Sequence, residues 1–183
     1  MSESSFAPAL LLSMPQMNDP NFAQTVVLLC QHNEDGAFGL VINRPITTTA
    51  RVVSQEEPED ASEHELEVWV GGPVEPERSW ILLHDDGADE RAIRICDGVY
   101  LSTSATVLRQ IIDRSADART RLVAGYAGWG PGQLDAEMAA SAWLSMGIAV
   151  DLVFDTPADE MWTAGIRRLG ATPGRLQTGQ GVH

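Results

Sequence analysis

Two residues that can bind a metal ion or take part in redox chemistry lie close together in the sequence. Cys30 and His32 are two apart in a segment predicted to form a β-strand, where residues at that spacing share a face. A thiolate beside an imidazole on that face would be a reactive redox centre. With His84 as a third ligand, the pair would begin a metal site. A packed thiol beside a hydrogen-bonded histidine is the favoured interpretation, and the chain has no CxxC pair to support zinc binding.

A glycine-rich segment is the second candidate site. Three glycines fall within residues 128–132, between a predicted strand and a predicted helix, where backbone N–H groups can hold a phosphate. The spacing is not GxGxxG and no lysine follows, so neither a dinucleotide-binding motif nor a P-loop is present. Asp135 and Glu137 would also repel a phosphate from the first helical turn. The pattern therefore favours a tight turn that packs Trp129, with a small-molecule or peptide site beside Trp129 and Gln133 as the alternative.

Polar residues at predicted strand ends form a third candidate. We expect a ligand-binding pocket where three strand ends and the glycine-rich turn converge, lined by Asn43, Gly72, His84, Trp129 and Gln133. A few polar groups around an apolar wall are typical of small-molecule sites. The alternative is that these residues satisfy turns and exposed surface.

Signatures of covalent catalysis are missing from the sequence. No GxSxG motif exists, and the closest serines lie in predicted helix caps or turns. The chain has no lysine, which excludes Schiff-base chemistry. Carboxylates are abundant, but no pair stands out as an acid and a base. The sequence thus favours a non-catalytic role over an enzyme and predicts no cofactor.

The charge balance argues against nucleic-acid binding. The chain has 26 acidic residues against 12 basic ones, which gives a net charge of −14. A protein that binds DNA normally presents a clustered basic surface, whereas the arginines here are scattered. No apolar run approaches the roughly 20 residues that span a bilayer, and no basic residue precedes the first apolar stretch. We therefore expect a cytoplasmic protein with no membrane or direct nucleic-acid partner.

Hydrophobic periodicity predicts strands early in the chain and helices late. A hairpin is expected from strands at 24–31 and 37–43, with Pro45 ending the second one. Further strands are predicted at 65–71, 79–84, 91–97, 121–126 and 148–154. Helices are predicted after Ser102–Ser104, at 134–146, and from Thr156 to about residue 169. This order favours an α+β fold.

Two segments are expected to lack regular structure. The acidic stretch at about 54–65 reads as a mobile loop, and the small, polar tail at 171–183 as a mobile terminus. No linker or repeat divides the chain, so residues 1–183 are predicted to be one domain, ordered from about 6 to 170.

Several motifs in a fixed order resemble the YqgE/AlgH family of bacterial proteins. The matching stretches are Leu11–Pro15, Asp19–Phe22, Cys30–His32, Gly36–Leu40, Asn43–Pro45, Gly71–Val74, Leu83–His84, Gly125–Gly130 and Gly132–Leu134. The resemblance covers about residues 9–170. It implies a bifurcated, mostly antiparallel sheet that forms a pseudo-barrel with helices packed around it. It also implies a regulator of transcription, and it supplies no catalytic residue, substrate or cofactor.

Three functions remain open from the sequence. The leading one is a regulator that acts through contacts with a protein partner and does not bind DNA directly. The first alternative is a small-molecule-binding module or enzyme with a pocket near Trp129, Asn43 and His84. The second alternative is a redox or metal role of Cys30 and His32.

Overall fold

The computed structural model describes residues 5–53, 61–85, 89–114 and 119–171, and these form ten strands and four helices. The strands are β1 (Ala9–Ser13), β2 (Val26–Asn33), β3 (Gly36–Val41), β4 (Pro45–Val53), β5 (Ala61–Val70), β6 (Val74–Leu83), β7 (Ile93–Cys96), β8 (Val99–Ser102), β9 (Thr120–Trp129) and β10 (Trp143–Met146). The helices are α1 (Ala105–Arg114), α2 (Gln133–Ala139), α3 (Val150–Phe154) and α4 (Ala158–Arg168).

Strand β9 is where the sheet divides. The main path runs β10-β1-β2-β3-β9-β6-β8-β7, and the β4–β5 hairpin joins it as a side branch. Along one edge, β9 pairs with β5 in parallel at Val123 and Ala124, then with β3 in antiparallel fashion at residues 127–129. Its other edge pairs with β6. The other strand pairs are antiparallel, so the predicted α+β fold with a curled, bifurcated sheet and helices around it is confirmed.

The core-forming segments of β1, β2, β3 and β6 are buried on both faces of this sheet. The inner face carries alternate residues such as Leu28, Leu40 and Leu82, which pack against α3 and α4. The outer face is covered by α2 beside β1–β3 and by α1 beside β6 and β9. Because the strands are buried on both sides, their sequences are continuous apolar runs and not clean alternations.

Close approaches of the backbone at two glycines fix the place where the sheet divides at β9. Gly72 has φ +151°, and a Cβ there would lie 2.2 Å from the carbonyl carbon and oxygen of Tyr126. Gly125 has φ +75°, and its Cβ would lie 2.5 Å from the Gly72 oxygen. Only glycine allows the two chains to approach this closely.

Two elements differ from the sequence prediction late in the chain. The helix predicted at 134–146 ends at Ala139, and residues 143–146 form β10, which pairs with the free edge of β1. The strand predicted at 148–154 is instead the short helix α3, whose Leu152, Val153 and Phe154 are buried on the inner face. A short apolar run fits a buried strand and a buried helix equally well, and β10 already holds the sheet position beside β1.

The side branch was also missed. Pro45 begins β4 instead of closing the hairpin, and Ala61–Glu65, predicted as part of a mobile acidic loop, belong to β5. Pairing runs from Pro45↔Trp69 to Val53↔Ala61. Backbone hydrogen bonds, and not apolar burial, hold this ribbon together. Its exposed acidic residues therefore form no hydrophobic pattern from which a strand could be predicted. Residues 54–60 and the tail from 172 lie outside the described residues.

Candidate functional site: a cavity on the inner face

The inner face holds a cavity of about 600 Å³ whose lining comes from six strands. Its lining residues are Cys30 and Gln31 of β2, Phe38 of β3, Arg78 and Trp80 of β6, Ile93 and Ile95 of β7, Leu101 of β8 and Tyr126 of β9. Most of them also belong to the core that packs against α3 and α4. The cavity is thus an unfilled part of the inner face, within the 300–1,000 Å³ range of small-molecule sites.

Three aromatic rings form one wall of the cavity. The Phe38 ring centre lies 5.0 Å from that of Trp80 and 5.2 Å from that of Tyr126. Trp80 and Tyr126 meet edge to face at 6.2 Å. Such pairs hold each other in place and present a rigid apolar surface. Facing strand β7 contributes Ile93, whose side chain is 60% exposed.

A bulge in β6 places the charged residue of the site. Val74 pairs with Tyr126 and Ser79 with Ala124, so residues 75–78 loop out of the ladder opposite a single residue of β9. Arg78 at the end of this loop stacks on Trp80, with its guanidinium carbon 4.5 Å from the ring centre. The same guanidinium lies 3.5 Å from the Glu75 carboxylate, and both side chains are about half exposed.

Two further polar groups border the cavity. Trp80 is buried, with 7% of its surface exposed, and its indole Nε1 has no hydrogen-bond partner in the described part of the chain. The Tyr126 hydroxyl donates to Glu75, which raises the pKa of that phenol. The Trp80 N–H is thus a buried donor for which none of the described residues provides an acceptor.

The predicted pairing of Cys30 with His32 is wrong. Leu29 pairs with Gly39 and Gln31 with Phe38, so Cys30 is an extra residue in a β-bulge. The bulge shifts the alternation of β2 by one residue. Cys30 packs with the inner face, whereas the His32 ring stacks on Phe6 at the outer face. The two side chains therefore lie on opposite faces and form no common site.

The surroundings of His32 and of Cys30 fit a structural role for each residue. The His32 Nδ1 accepts a hydrogen bond from the Phe6 N–H at 3.0 Å, and its Nε2 lies 3.2 Å from Asp135 Oδ2. Burial raises the pKa of the Cys30 thiol to about 12, so the thiol is protonated at neutral pH. Among the residues that the structure describes, no three His, Cys, Asp or Glu side chains gather as a metal site.

The other predicted site residues do not line the large cavity. Asn43 accepts from the Val26 N–H at 3.1 Å and donates to the Gln24 carbonyl at 3.0 Å, which holds the loop before β2. Gly72 serves the tight crossing described above. The His84 Nδ1 lies 2.8 Å from the Gly98 carbonyl oxygen, and its ring contacts Phe154 edge to face.

Trp129 and Gln133 are brought together by a residue that the sequence did not single out as their partner. Glu137 accepts from the indole N–H of Trp129 at 2.7 Å, from that of Trp143 at 3.0 Å and from the Gln133 amide at 3.3 Å. The Gln133 Oε1 in turn accepts from the Gly130 N–H at 3.0 Å. This network anchors α2 on the outer face.

Comparisons with known proteins identify the family. The AlgH-like family profile matches residues 10–174. The UPF0301 protein of Myxococcus xanthus is 38% identical over 179 residues, which cover 97% of this chain and 98% of that protein. The UPF0301 protein of Nitrosococcus oceani is 38% identical over 174 residues and 93% of both chains. This chain belongs to the AlgH-like family.

A solved structure supports the same assignment. The solution structure of the AlgH protein from Pseudomonas aeruginosa matches with a TM-score of 0.73 and 35% identity, over 100% of both chains. The predicted resemblance to the YqgE/AlgH family is confirmed. In the described residues of this AlgH-like protein, no helix is both long and apolar enough to cross a membrane.

The cavity of this AlgH-like protein escaped the sequence analysis for a physical reason. Phe38, Trp80 and Tyr126 lie on three strands and are far apart in the sequence, so no local motif contains them. Alternation assigns Trp80 to the face of Leu82, and that signal was available. The strand order that brings the three rings together could not be read from the sequence.

Proposed function

We propose that this AlgH-like protein is a small-molecule-binding module whose ligand occupies the cavity on the inner face. The observation that carries the proposal is the aromatic wall of the cavity, where Phe38, Trp80 and Tyr126 pack together and the Arg78 guanidinium stacks on the Trp80 ring. An apolar wall with a small number of polar groups is typical of small-molecule sites. This proposal keeps the first alternative from the sequence but moves the pocket to other residues.

The aromatic wall supports this function more than a purely structural one. Three packed rings line a pocket of about 600 Å³ that opens to the surface beside the exposed residues Arg78 and Ile93, so a ligand can enter it. Nothing in the lining resembles a nucleophile activated by a base, because Cys30 is held protonated. Within the described lining, the geometry therefore supports binding.

The test uses the indole N–H resonances of the protein in solution. Trp80, assigned with Trp80→Phe, should shift when a small-molecule extract of the source cells is added. Trp129 and Trp143, both bonded to Glu137, serve as internal controls that should not move. Ile95→Trp, which fills the cavity, should abolish the shift, and Ile46→Trp, on the exposed β4 ribbon, should not. If no extract fraction changes the chemical shift of the Trp80 indole N–H, the proposal is contradicted.

A second candidate is the role that the sequence favoured, regulation through a protein partner. We propose as its docking element the outer edge of β4, which among the described strands pairs with β5 alone. Ile46 on this strand is 51% exposed, and Glu65 and Glu67 stand exposed beside it. Because these two glutamates are negatively charged, they favour a basic peptide segment. Such a segment would bind in an extended conformation as a further strand beside β4.

This second candidate is tested with two synthetic peptides. An arginine–valine alternating peptide should shift the backbone amide resonances of β4, whereas a glutamate–valine peptide should not. Equal shifts with both peptides, or none with the basic one, would overturn the docking proposal. Control of transcription stays a prediction from the family resemblance, and the cytoplasmic location stays a prediction from the sequence.

A further inference from the structure

The polar groups around the cavity include one strong, charged donor. The Arg78 guanidinium can only donate hydrogen bonds, and none of the described residues that line the cavity is acidic. The acceptors in that described lining are neutral: the Gln31 amide oxygen and the oxygen of the Tyr126 hydroxyl, whose proton is donated to Glu75. A ligand that binds the Arg78 guanidinium must bring acceptor atoms.

The charge at the cavity has the opposite sign to that of the protein. The chain carries a net charge of −14, yet the one formal charge in the described lining is the Arg78 guanidinium. Its stacking on Trp80 fixes the guanidinium beside an apolar wall. Its contact with Glu75 joins one nitrogen to one oxygen at 3.5 Å between half-exposed side chains, a pair of little net stability. A ligand carboxylate can replace Glu75 and form the bidentate contact that arginine favours.

We propose that the ligand is an apolar carboxylate, with an aromatic or aliphatic body and one acidic head. The carboxylate binds Arg78, and the body lies against Phe38, Tyr126 and Ile95. This inference rests on the proposed function and names the chemical class of the ligand for the same site.

The experiment compares two probes that share one apolar body and differ in the head group, a charged carboxylate or a neutral amide. Binding of 4-phenylbutanoate and of its uncharged amide, 4-phenylbutanamide, is measured by titration of the Trp80 indole resonance in the full chain. We expect the carboxylate to bind at least about tenfold more tightly than the amide. Arg78→Gln should remove this preference, because it weakens binding of the carboxylate more than binding of the amide. Arg109→Gln, an exposed change on α1, should leave both affinities as they are.

The outcomes separate this inference from the proposed function. Equal affinities of the two probes, abolished by Ile95→Trp, would overturn the carboxylate and leave the cavity as a binding site. A preference for the carboxylate that survives Arg78→Gln would overturn the role of Arg78, and with it the inference. If neither probe moves the Trp80 resonance, the inference fails, and the extract experiment then decides the proposed function separately.

Discussion

The guanidinium carbon of Arg78 lies 4.5 Å from the centre of the Trp80 ring, and both residues line the cavity on the inner face. The four-residue bulge of β6 makes this contact possible, because it turns Arg78 back over the strand that carries Trp80. A positive charge is thus held against an aromatic wall in a strongly acidic protein. The stacking leaves the guanidinium half exposed and able to meet a ligand.

Gly72→Ala should destabilise the protein strongly. The added Cβ would lie 2.2 Å from the Tyr126 carbonyl, so the backbone crossing that divides the sheet must shift. We expect a loss of at least about 2 kcal/mol in the free energy of unfolding, measured by urea denaturation. The matched control is Gly147→Ala, since a Cβ at Gly147 meets nothing within 4 Å. Equal stabilities of the two variants would show that the crossing tolerates a side chain.

Glu137→Ala should release α2 from the outer face. The substitution leaves the indole N–H groups of Trp129 and Trp143 without their acceptor, and both side chains are buried. An unpaired buried donor destabilises by about 1–3 kcal/mol, so we expect about 2 kcal/mol or more in thermal or urea unfolding. Glu90→Ala, an exposed change in a turn, should alter stability by less than about 0.5 kcal/mol. A Glu137 variant as stable as this control contradicts the network.

The Cys30 thiol should react slowly in the folded protein. Because burial raises its pKa to about 12, about one thiol in ten thousand is ionised at pH 8. In a Cys96→Ser variant, which leaves Cys30 as the single cysteine, iodoacetamide labelling followed by mass spectrometry should be far slower in buffer than in urea. Native labelling as fast as that of the unfolded chain would restore the redox hypothesis.

Asp89 should contribute to acid sensitivity. The Ser102 hydroxyl donates to its carboxylate at 2.5 Å, and this hydrogen bond holds the pKa of Asp89 below its usual 3.8. A carboxylate with a lowered pKa in the folded state stabilises the protein above pH 4, and that contribution is lost as the pH falls further. Asp89→Asn should therefore flatten the decline of the urea midpoint as the pH falls below about 4. The same slope in the variant and in the wild-type protein would contradict the assignment.

The fold was largely predictable where local pattern and burial agree. The hairpin of β2 and β3 and the helix α4 follow directly from apolar periodicity and turn residues. Prediction failed at α3 and β10, where a short apolar run has no periodic signature and tertiary pairing decides its conformation. It failed again at β4, because backbone pairing with β5 outweighs an exposed, polar sequence.

The candidate site was less predictable than the fold. The bulge at Cys30 inserts one residue and reverses the face of His32, and nothing in the local sequence marks it. The residues predicted from strand ends and glycines mostly hold turns, as with Asn43 and Gly72. The cavity residues are apolar strand positions whose meeting depends on strand order. Sequence reasoning therefore found the conspicuous polar residues and missed the unfilled space.

Native mass spectrometry of the protein, purified gently from its own cells, tests the central claim most directly. We expect a defined mass increment on the wild-type chain that is retained in Ile46→Trp and absent in Ile95→Trp, where the indole fills the cavity. Collisional release should then yield the mass of an acidic small molecule. A bare wild-type chain, or an increment that Ile95→Trp keeps, would contradict ligand binding in this cavity.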